Sequence, residues 1–191
     1  SGPLSPYQGP EYTQEEIDDA LSAAAPWVDV TRREKEDELV GLTAAELADG
    51  RVVAWWQGRS EAGPRALGHR SLLADPRNAS MVAHINSNVK GREAFRPFAP
   101  SVLAEEAANW FDGIAPFHPE TDPEVQWGLK GHVSPFMSLT VHVKKGLETK
   151  IPAVTHVDGT SRLQSVMSSN DSLYYALIKA FFQLTGVPMV L

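Results

Sequence analysis

Two short stretches of this chain concentrate positive charge in a pattern that suits the grip of an anion. Arg59, Arg65 and Arg70 fall within GRSEAGPRALGHR (58–70), and Lys90, Arg92 and Arg96 fall within VKGREAFRPFAP (89–100). Guanidinium groups crowded onto one loop repel one another. Unless carboxylates pair with them, the arrangement makes sense with an anion in the middle, because arginine holds phosphate or carboxylate oxygens with two parallel hydrogen bonds. The alternative at each position is an ordinary ion pair or a side chain in water. The surroundings favour a built site: Gly58, Gly63, Pro64 and Gly68 keep the first stretch irregular and let its backbone approach a ligand. Gly63 and Gly68 are therefore expected to matter more for binding than for stability. In the second stretch Pro97 and Pro100 impose an extended path, a rigid clamp for three cations.

The elements around these stretches must hold them. Val52, Val53, Trp55 and Trp56 have the β-branched and aromatic content of a buried strand leading into the arginine loop. Ser71–Ala74 is a second short apolar run, followed by a helix expected over about 78–88 with Met81, Val82 and Ile85 inward. Phe95 and Phe98 are expected to anchor the clamp in the core, ahead of a strand ending near Leu103 and a short helix over 104–111. Upstream, Thr13 with Glu16 forms a capping box for a helix to about Ala24, and Thr43 with Glu46 has the pattern of a second. The charged run 31–38 between them reads as a connector. Downstream, residues 112–132 form a long loop that could serve as a lid, and Phe136, Leu139, Val141 and Val143 alternate as in a strand. THVDGTSRLQ (155–164) turns at a glycine. SLYYALIKAFFQLTG gives an amphipathic helix closed by Gly186, and VPMVL a buried strand.

Composition narrows the class. At 191 residues the chain can bury roughly 70% of its unfolded surface as one α/β domain. It has no cysteine, which excludes disulfides and thiolate metal sites and fits a cytoplasmic protein. No apolar run approaches the ~20 residues of a membrane span. The net charge of −7 hides an asymmetry: residues 1–50 carry −9, residues 51–100 carry +5 and residues 101–191 carry −3. A basic block inside an acidic protein favours a small phosphorylated ligand over a nucleic-acid surface. The six histidines include His132, His142 and His156 on strands or their edges, but none are paired at helical i, i+4 spacing, so no metal site is assigned.

With those residues in hand, the chain resembles the C-terminal domain of the NodU/CmcH-type O-carbamoyltransferases, which decorate nodulation factors and antibiotics. The resemblance rests on GRSEAGPRALGHRSLLADPR (58–77), NSNVKGREAFRPFAPSVL (86–103), HVDGTSRLQ (156–164) and the closing LTGVPMVL, and runs from about Glu11 to Leu191. It implies a YrdC-like fold, a twisted mixed sheet with flanking helices, over 51–191. Residues 3–50 would then be a helical arm packed on that domain, and Ser1 and Gly2 the remnant of a tag. It also implies an ATP-binding domain that forms a carbamoyl-adenylate from carbamoyl phosphate, with Mg²⁺ accompanying ATP. A separate N-terminal Kae1-like domain of the full-length protein would transfer the carbamoyl group to a hydroxyl.

Carried over by position, Arg65, Lys90 and Arg96 would hold carbamoyl phosphate and the adenylate phosphate, and Arg162 would complete the pocket. Arg59, Arg70 and Arg92 rank lower, as possible braces. Two departures stand out. The family continues past the closing strand with an Asn-Thr-Ser-Phe-Asn segment, so the domain is read as truncated and the isolated fragment as weakly active or inactive. His69 stands where Asn is more usual. Two other readings remain open: a non-catalytic nucleotide- or RNA-binding module, and an adenylate-forming enzyme for another small carboxylate.

Overall fold

A computed structural model describes residues 5–118 and 134–191 as an α/β fold. The expected lid falls largely outside those residues, as does His132. Two helices form its scaffold. α5 (Ser172–Thr185) buries Tyr174, Leu177, Ile178 and Phe181, an i, i+3, i+4, i+7 stripe. The Asp171 side chain caps its first turn by accepting from the Tyr174 N–H at 3.1 Å, and Gly186 ends it with φ +73°. Against this stripe lies α2 (Glu36–Ala48), with Val40, Thr43, Ala44 and Leu47 inward. Each large aliphatic or aromatic side chain so buried contributes about 1.5–3 kcal/mol.

α2 begins seven residues before the expected capping box, at the acidic run Glu36–Glu38, where negative charge suits the positive end of a helix. Thr43 is buried mid-helix, so Thr43 and Glu46 cap nothing. The upstream box is real: in α1 (Gln14–Ala24), Glu16 N–H donates to Thr13 Oγ1 at 3.2 Å while Glu16 accepts from Thr13 N–H at 2.8 Å. α1 buries none of its side chains.

The strands form small sheets that are nearly continuous. β1 (Val53–Trp56) and β2 (Arg70–Leu73) are an antiparallel pair whose connection is the arginine loop. β3 (Ser101–Leu103) lies between β6 (Gln164–Val166), parallel to it, and β7 (Met189–Val190), antiparallel. Ala74 and Leu191 exchange two backbone hydrogen bonds, at 3.1 and 2.9 Å, which stitch the β1–β2 pair to the three-stranded sheet. β4 (Val141–His142) and β5 (Thr160–Ser161) make a third, two-stranded patch. The alternation expected over Pro135–Val143 is therefore strand only at its end, and Leu139 is exposed. Short α4 (Ala104–Trp110) follows β3 directly.

Two further expectations are corrected. The helix after Asp75–Pro76 is split into α3 (Ser80–His84) and a π-helical turn (Ile85–Val89), closed by a 2.8 Å bond from Lys90 N–H to Ile85 O. Met81 and Ile85 do face the core. Among the aromatics, Trp55 is buried but Trp56 is half exposed, and Phe95 projects into solvent at 84% exposure, leaving Phe98 alone to pack on the core.

Candidate functional site

A cavity of about 510 Å³ opens between the arginine loop, the clamp, the edges of β2 and β3, and α5. Arg65, Lys90, Arg92, Arg96 and Arg162 all line it, and among the described residues no Asp or Glu does. The three stretches of sequence meet here although they are far apart along the chain. Arg59 and Arg70 do not reach the cavity. Arg59 is exposed and lies 3.6 Å from Glu11. Arg70 is a brace: its guanidinium donates to the carbonyls of Gln57 (2.6 Å), His69 (2.9 Å) and Gly58 (2.9 Å), and its plane covers the Trp56 ring at 4.2 Å. That contact accounts for the exposed side of Trp56.

The cations are held in a state that favours an incoming anion. Partial burial, and then the Arg92 charge beside it, push the Lys90 ammonium below its ordinary pKa. Burial and Arg96 do the same to Arg92, against the opposing pull of Glu93, and burial and Arg65 do it to Arg162. The Arg162 Nε is buried without a hydrogen-bond partner, and leaving such a donor unsatisfied costs about 1–3 kcal/mol. Among the described residues the carboxylate near Arg96 is a distant one, Glu93 at 3.9 Å. An anion in this space would relieve mutual repulsion and could satisfy the Arg162 Nε donor as well. Polar Ser71 and Ser101 and apolar Leu72, Phe98 and Tyr174 complete the walls. Met137, which also lines the cavity, has φ +53°, the one positive φ outside glycine among the described residues. Such strain in a non-glycine residue gathers at functional sites.

Residues that sequence patterns did not single out organise this geometry. Glu61 holds the arginine loop from inside: its Oε1 accepts from the backbone N–H groups of Leu67 (2.7 Å), His69 (2.9 Å) and Arg70 (3.2 Å). Burial alone would raise the Glu61 pKa, but these N–H donors outweigh it and the net shift is downward. Asn86, fully buried in the π turn, does the same for the clamp. Its Nδ2 donates to the carbonyls of Ala94 (3.2 Å) and Arg96 (3.0 Å), and its Oδ1 accepts from Arg92 Nε at 2.6 Å. Arg92 also lies over the Phe98 ring at 4.6 Å. A glycine-rich loop with one acid, and an asparagine in the last helical turn before Lys-Gly-Arg, are the signals that could have found them.

His69 is 8% exposed and ties the loop to α5. Its Nδ1 donates to Arg59 O at 2.6 Å and its Nε2 lies 3.1 Å from Asp171 Oδ2, the helix cap. Gly68 is structural: a Cβ there would stand 2.3 Å from Tyr174 Cδ1, whereas one at Gly63 would meet nothing within 4 Å. The expectation that both glycines serve binding is corrected for Gly68, which lets the loop pack on the ring of Tyr174.

Among known proteins, the family described as Carbamoyltransferase C-terminus matches residues 44–191. The chain is 46% identical over 158 residues to nodulation protein NolNO of Sinorhizobium fredii, covering 83% of this chain and 21% of that protein. It is 39% identical over 186 residues to nodulation protein NolO of Bradyrhizobium diazoefficiens, covering 97% and 31%. It is 36% identical over 183 residues to the 3′-hydroxymethylcephem-O-carbamoyltransferase of Amycolatopsis lactamdurans, covering 96% and 29%. The chain therefore spans between about a fifth and a third of the length of these relatives.

Proposed function

Because the chain belongs to the carbamoyltransferase C-terminus family, we propose that it is the domain of an O-carbamoyltransferase that binds ATP and carbamoyl phosphate and forms a carbamoyl-adenylate. Transfer to a hydroxyl would belong to an N-terminal domain, in keeping with the much greater length of the relatives. The observation that carries the reading is a cavity lined by five cations and, among the described residues, no Asp or Glu. Its volume is that of a small-molecule site, within the ~300–1,000 Å³ usual for such pockets.

Transfer chemistry at phosphorus needs positioning and charge neutralisation more than a protein nucleophile. Arg65, Lys90 and Arg96 hold the phosphate oxygens of the two substrates, and Arg162, with its unpartnered Nε, completes the anion pocket. Arg92, fixed by Asn86 and stacked on Phe98, sets the edge of the clamp. Mg²⁺ would arrive with ATP, held largely through phosphate oxygens.

The test is calorimetry of ATP and of pyrophosphate on the chain and on Arg65→Ala, Lys90→Ala and Arg96→Ala. Each lost charged contact costs on the order of 1.5–3 kcal/mol. Unchanged affinity in all three moves the site elsewhere. A parallel titration with RNA at two salt concentrations separates the nucleic-acid alternative, since backbone binding collapses steeply with salt.

A further inference from the structure

Residues 5–10 precede the region matched by the family, yet they are stitched to the arginine loop. Ala62 N–H donates to Pro6 O at 2.7 Å, Gly9 N–H to Ser60 O at 2.9 Å, and Ser60 N–H to Pro10 O at 3.2 Å. The approach is so close that a Cβ on Gly9 would lie 1.9 Å from Ser60 Oγ. Within this strap, the Tyr7 ring stacks on His69 with centroids 3.5 Å apart and planes 5° from parallel. Its hydroxyl donates to Leu67 O at 2.9 Å and lies 3.4 Å from Asp171 Oδ2. Burial, then the charge of Asp171, push the phenol pKa well upward, so the group stays a hydroxyl donor.

Leu67 O is a junction. It also accepts from Gln164 Nε2 at 2.9 Å, and Gln164 Oε1 in turn accepts from Ser101 Oγ at 2.8 Å, on the cavity wall. Arg65 lies two residues away. Its side chain is exposed and makes no ion pair among the described residues, and its charge opposes that of Arg162. Repulsion would therefore move an unrestrained loop outward, and among the described residues it is the backbone of the loop that holds Arg65 at the cavity.

We propose that Tyr7 is a positioning residue for the anion cavity, which by stacking on His69 and binding Leu67 O keeps the arginine loop closed and Arg65 facing the ligand. This rests on the reading that Arg65 contacts a phosphate-bearing ligand. Glu61 fixes the shape of the loop from within, whereas Tyr7 fixes its place on the domain. The two tasks are separable.

The experiment is a mutant cycle on the full chain: Tyr7→Ala, Tyr7→Phe, Arg65→Ala and Tyr7→Ala with Arg65→Ala, each titrated with pyrophosphate and ATP and each melted. Tyr7→Ala should weaken binding about tenfold, within the coupling usual for residues sharing one network. Tyr7→Phe keeps the stack and should recover part of that loss while folding normally. In the Arg65→Ala background, Tyr7→Ala should change affinity less than about twofold, a coupling that a purely structural tyrosine would not produce. An equal loss in both backgrounds overturns the proposal, as does a Tyr7→Ala chain that binds normally while Arg65→Ala does not. If Arg65→Ala itself binds normally, the reading of the site fails first and this inference with it. Should Tyr7→Ala not fold, the cycle is run with Tyr7→Phe, and the same outcomes decide.

Discussion

Placing a methyl group on Gly68 should destabilise the domain far more than placing one on Gly63, although both sit on the same loop at positive φ. At Gly68, with φ +104°, the new carbon would stand 2.3 and 2.4 Å from Cδ1 and Cε1 of Tyr174. Tyr174 cannot give way, since it is 1% exposed and fixed in α5. Backbone strain of about 1–3 kcal/mol adds to overpacking of about 1–3 kcal/mol, giving roughly 2–6 kcal/mol for Gly68→Ala. At 2–4 °C per kcal/mol for a chain of this size, the melting temperature falls by roughly 4–24 °C. Gly63→Ala, at φ +139° with nothing within 4 Å, incurs the backbone strain alone. Differential scanning calorimetry of the two variants side by side is the assay. If Gly68→Ala melts with or above Gly63→Ala, the ring contact does not exist as described and the packing of the loop on α5 is wrong.

Glu61→Gln should lose part of the protection of loop amides 61–70 in hydrogen exchange, because a neutral oxygen replaces the carboxylate that accepts three N–H donors. The pKa of Glu61 is lower in the folded state than its ordinary 4.5, so its contribution is present above that value and fades as pH falls through the folded pKa. The variant should accordingly flatten the acid limb of a melting-temperature profile, and an unchanged limb refutes the role. At Lys90 the slope has the same direction, but there folding disfavours the charged form. Its folded pKa lies below its ordinary 10.5, so the folded state binds fewer protons and stability rises with pH through the window just under that value. Lys90→Met should remove this slope and melt no lower than the parent chain without ligand, yet bind pyrophosphate more weakly. A lower melting temperature with unchanged affinity would contradict both halves.

Local patterns were legible where one element settles its own structure. Thr13 and Glu16 satisfy each other within a single turn, and the α5 stripe needs only helical spacing to declare its inner face. The cations at Arg65, Lys90 and Arg96 could be named because clustered charge with few acids is visible in one dimension, whereas Arg162, a lone cation in its stretch, was reached only through the resemblance. What escaped depends on distant partners. Thr43 has the spacing of a cap, but α5 buries it. Phe95 has the chemistry of a core anchor, but Asn86 binds the carbonyls on either side of it, at Ala94 and Arg96, and the ring between them faces outward. Trp56 is matched to Arg70 rather than to the core. The roles of Tyr7, His69 and Asp171 exist only once residues near both ends of the chain meet, so no local pattern announces them.

The pairing of Ala74 with Leu191 bears on how the domain is assembled in time. The β1–β2 pair can close locally, and α5 can cap itself, but the sheet that joins them waits for the closing strand to meet residues far back along the chain. The parallel β3–β6 register is also long-range. Loop closure over such separations must precede the reward of the contact, which makes folding slow compared with a helical bundle. The cavity takes walls from both sides of that seam, so it is complete only once the seam has closed, and ligand binding followed during refolding should report that closure.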